Sequence, residues 1–354
     1  MATGRGRRRG LQLREHKHSH KQYEIKANRL STLHRERCIQ AIAIPYLGAF
    51  QKKTVGSKAI FCYIPSMNRI AVNLSRACLV LSIGWIAYTQ TSHGQGVDLN
   101  IKKLKNELYV IEGTSNGSGD VGNVAVYVTS EGVILVDDRF AQDHDQIVAA
   151  VKRVTSQPIR YVINTHHHGD HTGSNLRFLA SSELIAHANA RKHMLEGKMP
   201  GPPQIAFTDQ TSVFLGGKEV RAIYYGRGHT DGDIAVYFPA EHVVHLGDLM
   251  AGTRGVTNPV VDYKNGGCLR DWPATLDGVL KLDIDTVIPG HGEISTRDGL
   301  VAHRNKIASI SDQISGLVHE GKSKDEIGQL LVSKFDFKPI NMGGLDGMMA
   351  ELKN

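Results

Sequence analysis

Ile159-Arg160-Tyr161-Val162-Ile163-Asn164-Thr165-His166-His167-His168-Gly169-Asp170-His171-Thr172-Gly173 is the stretch whose reading decides the fold. Its first five residues form a short apolar, β-branched run, the pattern of a strand. The strand then breaks into a glycine-containing turn that places His166, His168, Asp170 and His171 within six positions, in the order His-x-His-x-Asp-His. A strand ending in a tight loop brings several such side chains to one point in space. A solvated histidine-rich loop would have no need of that spacing or of the internal Asp, and would have no matching donors elsewhere in the chain.

Matching donors do follow. His229 lies in Gly226-Arg227-Gly228-His229-Thr230-Asp231-Gly232-Asp233, Asp248 in His245-Leu246-Gly247-Asp248-Leu249, and His291 in Ile288-Pro289-Gly290-His291-Gly292. Each follows or closes a β-like run, at 220–225, 242–246 and 286–288, and each has a glycine beside it that permits a sharp turn. Together the chain offers five imidazoles and two carboxylates, enough for two first-row divalent ions. A mixed nitrogen and oxygen set suits zinc better than calcium or magnesium, which prefer oxygen shells.

With these residues in this order, the chain resembles the metallo-β-lactamase superfamily, from about residue 97 to 320. The resemblance implies an α/β architecture, the four-layer αββα fold, as a single catalytic domain. It implies that His166, His168 and His229 bind one zinc ion, that Asp170, His171 and His291 bind a second, and that Asp248 bridges them. Asp137, closing Val133-Ile134-Leu135-Val136-Asp137, matches the family's first motif and is expected to orient a ligand from behind. His167 occupies the variable position and is expected to point away from the ions. The remaining His187, His193, His242, His245 and His303 lack motif context and default to surface or supporting roles.

Charge divides the chain. The formal net charge is +7, yet residues 1–66 contain 14 Lys+Arg against 3 Asp+Glu, leaving 28 against 32 for the rest. The catalytic region is therefore mildly acidic. Arg5-Gly6-Arg7-Arg8-Arg9 is basic enough to meet phosphate, but no stacking aromatics or recognised binding fold accompany it, so no nucleic-acid partner is expected. Residues 1–66 carry dense positive charge and few periodic apolar runs, which predicts disorder. Residues 67–95 place Arg69 and Arg76 before the apolar run from Ala77 to Tyr88, followed by Thr89-Gln90-Thr91-Ser92. That is the layout of a secretory signal peptide, and the apolar core is short of the roughly 20 residues that span a bilayer. The expectation is an exported enzyme, periplasmic or secreted, with residues 1–66 upstream of the true start; the alternative is a membrane anchor that meets the bilayer through this segment alone. Cys268 would be the one cysteine left in the mature protein, where no intramolecular disulfide could form.

The rest alternates strands and helices. Residues 107–111, 123–128 and 133–136 read as a meander with a turn at Gly117-Ser118-Gly119-Asp120. Ile147, Ala150 and Val151 fall on one face of a helix over 142–154. A strand over 183–186 leads to a helix over 188–196, and Met199-Pro200-Gly201-Pro202-Pro203 breaks the pattern as a loop. Leu300, Ile307, Ile310, Ile314, Leu317 and Val318 form one helical face. The segment 321–354 reads as a C-terminal helical extension opening on a capping box at Ser323 and Glu326.

The resemblance implies a zinc hydrolase in which a metal-bound hydroxide attacks the carbonyl of a small amide, lactone or ester, with Asp170 both ligand and orienter of the nucleophile. No serine or cysteine nucleophile is then required, and Ser174 reads as an N-cap or loop hydroxyl. Asp248 stands where some β-lactamases of the family carry Cys, so thioester hydrolysis of the glyoxalase II type stays open. So do phosphodiester cleavage and, in another class, a metal-dependent oxidoreductase. That last branch replaces the second motif His with Glu, whereas His168 stands here.

Overall fold

The computed structural model describes residues 99–113, 121–252 and 258–353. The expected leader or anchor at 67–95, the basic segment 1–66 and the turn at 117–120 lie outside these residues.

Two sheets form the frame. In the first, strand order follows chain order: β1 (Ile101–Lys103), β2 (Leu108–Ile111), β3 (Val124–Val128), β4 (Val133–Val136), β5 (Ile159–Ile163), β6 (Glu183–His187) and β7 (Ile205–Phe207). β1 to β4 pair antiparallel, and β4 to β7 pair parallel. The second sheet holds β8 (Gln210–Leu215), β9 (Lys218–Ile223), β10 (Ala235–Phe238), β11 (Val243–His245), β12 (Thr286–Ile288) and β13 (Ser295–Thr296), again neighbours in chain order. Here β11 and β12 alone are parallel.

Parallel pairs need crossovers, and the helices supply them. α1 (His144–Lys152) lies between β4 and β5, and α2 (Gly169–Thr172) and α3 (Asn175–Phe178) lie between β5 and β6. α4 (Ala188–Glu196) joins β6 to β7, and α5 (Trp272–Val279) lies between β11 and β12. After β13 come α6 (Arg297–His319), α7 (Lys324–Phe335), α8 (Pro339–Met342) and α9 (Leu345–Leu352).

Three apolar clusters stack these elements into four layers. The central one joins Val110, Tyr127, Ile134 and Ile163 of the first sheet to Val220, Val236, Phe238 and Ile288 of the second. Outside the first sheet, Val126, Leu135 and Val162 pack on Ile147, Ala150 and Val151 of α1 and on Phe178 of α3. Outside the second, Tyr237, Val244 and Val287 pack on α5 and α6. Strands buried on both faces explain why Val133-Ile134-Leu135-Val136 has no polar alternation. The C-terminal segment is integral to this last layer: Ile327, Leu331, Leu345, Met348 and Leu352 are buried in it. The Ser323–Glu326 capping box forms as expected, with Ser323 Oγ accepting from Glu326 N at 3.3 Å and Glu326 Oε2 accepting from Ser323 N at 2.9 Å.

The pairing register positions the functional side chains. β4 and β5 run parallel with Val136 beside Ile163, so Asp137 and the loop 164–171 leave the sheet at one end. β11 and β12 are parallel with His245 beside Ile288, so Asp248 and His291, each three residues past its strand, emerge side by side. No described helix is long and apolar enough to cross a membrane.

Candidate metal centre

Seven side chains meet at these strand ends. His166 Nε2 lies 3.2 Å from His168 Nδ1, and His229 Nε2 lies 2.9 Å from the same atom. Nearby, His171 Nε2 and His291 Nε2 are 3.2 Å apart, and Asp170 Oδ2 is 3.1 Å from His291 Nε2 and 3.5 Å from His171 Nε2. Asp248 faces both groups: Oδ1 is 3.4 Å from His171 and His291, and Oδ2 is 3.7 Å from His229. The triads His166–His168–His229, Asp170–His171–His291 and His166–His171–Asp248 each offer ligand atoms within 4.8 Å of one another. Every residue that the sequence singled out as a ligand is thus brought into one centre.

Hydrogen bonds behind the rings fix which nitrogen faces inward. The Val260 carbonyl can only accept, so His229 Nδ1 donates to it (2.6 Å) and Nε2 is left with a lone pair. His171 Nδ1 donates to Asp137 Oδ2 (2.8 Å), and His168 Nε2 donates to Asp262 Oδ2 (3.0 Å), turning Nδ1 inward. Thr165 Oγ1 donates to Asp137 Oδ2 (2.8 Å) and accepts from His166 Nδ1 (3.1 Å). Asp137 Oδ1 also accepts from Thr165 N at 2.7 Å. Asp137 is fully buried at φ +63°, a left-handed conformation that a short polar side chain tolerates and that turns the carboxylate back toward the loop. It therefore sits behind His171 and, through Thr165, behind His166.

Inward-facing lone pairs 2.9–3.2 Å apart repel unless a cation or proton lies between them. Burial, and then the neighbouring imidazoles, hold the pKa of His166 well below the ordinary histidine value. At His171 burial acts the same way, but Asp170, Asp137 and Asp248 outweigh it and raise its pKa well above that value. Burial alone would push Asp170 and Asp248 upward; the rings of His171 and His291 hold both well below the usual carboxylate range. Asp248 Oδ1 is buried without a hydrogen-bond donor. Two ionised carboxylates, one with an orphaned oxygen, facing five imidazoles whose inward nitrogens can each give a lone pair to a cation in place of a proton, make a donor set that fits divalent cations.

Other residues are redistributed. Asp262 was not singled out in the sequence; its partner His168 is 94 residues away, and Asp262-Tyr263-Lys264-Asn265 has only the look of a turn. His168 and Asp262 also group with His167, whose ring lies 4.9 Å from that of His193 and 6.3 Å from that of His166. His193 Nε2 is 2.7 Å from Asp231 Oδ1. A surface role suits His242, which is half exposed, but His187, His245 and His303 are buried. His187 stacks on Tyr224, His245 takes a hydrogen bond from Gly247 N, and His303 Nε2 donates to the Leu249 carbonyl. Ser174 Oγ donates to the Phe140 carbonyl, and Cys268 is buried and free.

Comparisons with known proteins bear on the family and the fold. A family model described as "Metallo-beta-lactamase superfamily" matches residues 117–291. The metallo-beta-lactamase type 2 of Bacillus cereus is 28% identical over 213 residues, covering 58% of this chain and 80% of that protein. The 2,4-dinitroanisole O-demethylase subunit alpha of Nocardioides sp. (strain JS1661) is 29% identical over 141 residues, 38% of this chain and 41% of that protein. Among solved structures, a metallo-beta-lactamase from Pontibacter korlensis superposes with a TM-score of 0.52 at 20% identity, covering 59% of this chain and 98% of that one. One from Pseudomonas aeruginosa in a mono-zinc form gives 0.52 at 20%, covering 60% and 96%.

Proposed function

We propose that this chain, whose residues 117–291 match the metallo-beta-lactamase superfamily and which is a metal-dependent hydrolase, is a dinuclear zinc enzyme that hydrolyses the carbonyl group of a small amide, lactone or ester. One observation carries this reading. Asp248 stands between two clusters, each of three donors, and turns one oxygen to each, with its Oδ1 buried and lacking a donor.

In this proposal His166, His168 and His229 would hold the first ion, Asp170, His171 and His291 would hold the second, and Asp248 would serve both. Two such ions would supply Lewis acidity toward a substrate oxygen and would lower the pKa of a water toward about 7. The chain's own part is orientation. Asp137 and Thr165 fix His171 and His166, while Val260 and Asp262 fix His229 and His168, so the ligands need no rearrangement when charge develops. Asp170, held ionised, can accept a hydrogen bond from the attacking water and aim it. The side chains of His168 and Asp170 are 31% and 23% exposed, whereas His171 and His229 are at most 4% exposed, so substrate reaches the centre over the first pair. Ser174 and Cys268 are committed to Phe140 and Glu351 and supply no nucleophile.

Support for a carbonyl substrate comes from the relatives named metallo-beta-lactamases, matched over 80% of the length of the Bacillus cereus protein. The test is a panel of a chromogenic cephalosporin, a homoserine lactone, a glutathione thioester and a phosphodiester, run on zinc-loaded and chelated protein. We expect turnover of the cephalosporin or the lactone, lost on chelation and restored by zinc. An Asp170→Ala variant should fall at least about a hundredfold in kcat/KM. Turnover confined to the thioester or the phosphodiester would overturn the substrate class, and full activity in the variant would remove Asp170 from its role.

A further inference from the structure

The segment 258–271 is held between the metal centre and the C-terminal helices. On its inner side it supports two of the three histidines of the first cluster. The Val260 carbonyl accepts a hydrogen bond from His229 Nδ1, Asp262 N donates to the His229 carbonyl at 2.9 Å, and Asp262 Oδ2 accepts a hydrogen bond from His168 Nε2. Asn265 holds that carboxylate in place, donating from Nδ2 to Oδ2 at 2.6 Å and from its backbone N to Oδ1 at 3.2 Å.

On its outer side the same segment is gripped by residues beyond the family match. The carboxylate of Glu351 in α9 takes three hydrogen bonds from it, and the Glu351 carbonyl takes another from Arg270 Nη2. Those to the carboxylate come from Tyr263 Oη at 2.8 Å and Leu269 N at 3.0 Å, both to Oε2, and from Cys268 Sγ at 2.6 Å to Oε1. Burial and the Glu351 carboxylate push the Cys268 thiol up to about 12, so it remains a donor at neutral pH. Asn258 Nδ2 donates to the Phe335 carbonyl at the end of α7, and Asn341 Nδ2 of α8 donates to the Asn258 carbonyl. The Tyr263 ring lies so close to Gly347 that a Cβ there would fall 2.2 Å from it. No hydrogen bond, ion pair or ring contact links these helices to Asp170, His171 or His291 among the described residues.

We infer that Glu351 is a positioning residue for the first metal cluster: the C-terminal helices, by clamping segment 258–271 from outside, set the affinity of the ion held by His166, His168 and His229 while leaving the second ion unaffected. The inference rests on the dinuclear reading above. Asp262 is immediately followed by Tyr263, so releasing the Tyr263 hydroxyl loosens the carboxylate that aims His168. Partners one step behind a ligand are worth roughly 10- to 100-fold in metal affinity, and one further step back calls for the lower end of that range.

The experiment uses the full chain and cobalt(II) as probe, followed by visible absorption in competition with a chelator. Two backgrounds separate the sites: His291→Ala leaves the first cluster whole, and His229→Ala leaves the second. We expect Glu351→Ala to weaken cobalt binding about tenfold in the His291→Ala background and less than twofold in the His229→Ala background. Glu351→Gln keeps an oxygen for Tyr263 and Leu269 and should restore the affinity to within about threefold. Tyr263→Phe keeps the ring against Gly347 and, should Glu351→Ala fail to fold, carries the same test. Equal weakening in both backgrounds, or none in the first, would overturn the inference. Absence of cobalt binding before any change at Glu351 would overturn the metal reading itself, and this inference with it.

Discussion

At the residue scale, chemistry was legible wherever it followed a fixed spacing and illegible wherever two residues met only in space. His166, His168, Asp170 and His171 declare themselves because one turn after one strand has to deliver them all. Asp262 does not, since nothing in its own neighbourhood distinguishes a carboxylate that closes a turn from one that aims His168. The buried histidines show the same limit. His303 sits on a helix face with Leu300, Ile307 and Ile310, and its sequence gives no sign that it is buried with Nε2 on the Leu249 carbonyl. That burial has a measurable consequence, because desolvation lowers its pKa from 6.5 to about 4, with the nearby Lys306 adding to the effect. Above pH 6.5 the ring is neutral in both folded and unfolded chains and its contribution to stability is complete. As pH falls from 6.5 to 4 the unfolded chain binds a proton that the folded chain refuses, and stability drops by about 3 kcal/mol. Chelator-treated protein, unfolded in urea across this range, should show a proton-linked slope larger by up to one proton than that of His303→Gln, whose amide can replace the Nε2 donor. Identical slopes would show that His303 takes up its proton equally in both states.

At the element scale, segments with a clear apolar pattern were readable and exposed edge strands were not. The helix over 188–196 and the strand over 286–288 have the bounds that their patterns predict. The apolar stripe from Leu300 to Ile314 is buried as one face of α6. β7 and β8 passed unrecognised because they lie at the ends of their sheets, where solvent replaces a neighbour and removes the alternation that marks a strand. Phe214 of β8 is 70% exposed, and the first two residues of β7 are exposed as well. Register was equally invisible, yet it is what builds the centre: the parallel pairing of β11 with β12 brings two loops into contact at Gly247 and Gly290. A Cβ on Gly290 would lie 2.1 Å from Asp248 Oδ1 and 2.6 Å from the Gly247 carbonyl carbon. Gly290→Ala should therefore push Asp248 and His291 apart and weaken the second ion at least about tenfold, with little change in secondary structure by circular dichroism. Unchanged metal affinity in that variant would mean that the two loops can separate without cost to the centre.

At the scale of the whole molecule, the motifs and the family match place the chemistry within residues 117–291. What the motifs could not convey is how the chain beyond them is used. Residues 321–354 read as an appended helical segment because their apolar positions have no partner visible in the linear sequence. In the folded chain they complete the outer layer of the second sheet and reach the segment behind His168 and His229. The fold thus wraps one centre from both sheets and from the C-terminus, and we propose that this centre holds two ions. Elemental analysis of purified, hydrolytically active full-length protein tests it most directly. We expect close to two zinc ions per chain, falling to one in His291→Ala. Active protein with well under one metal ion per chain would contradict it.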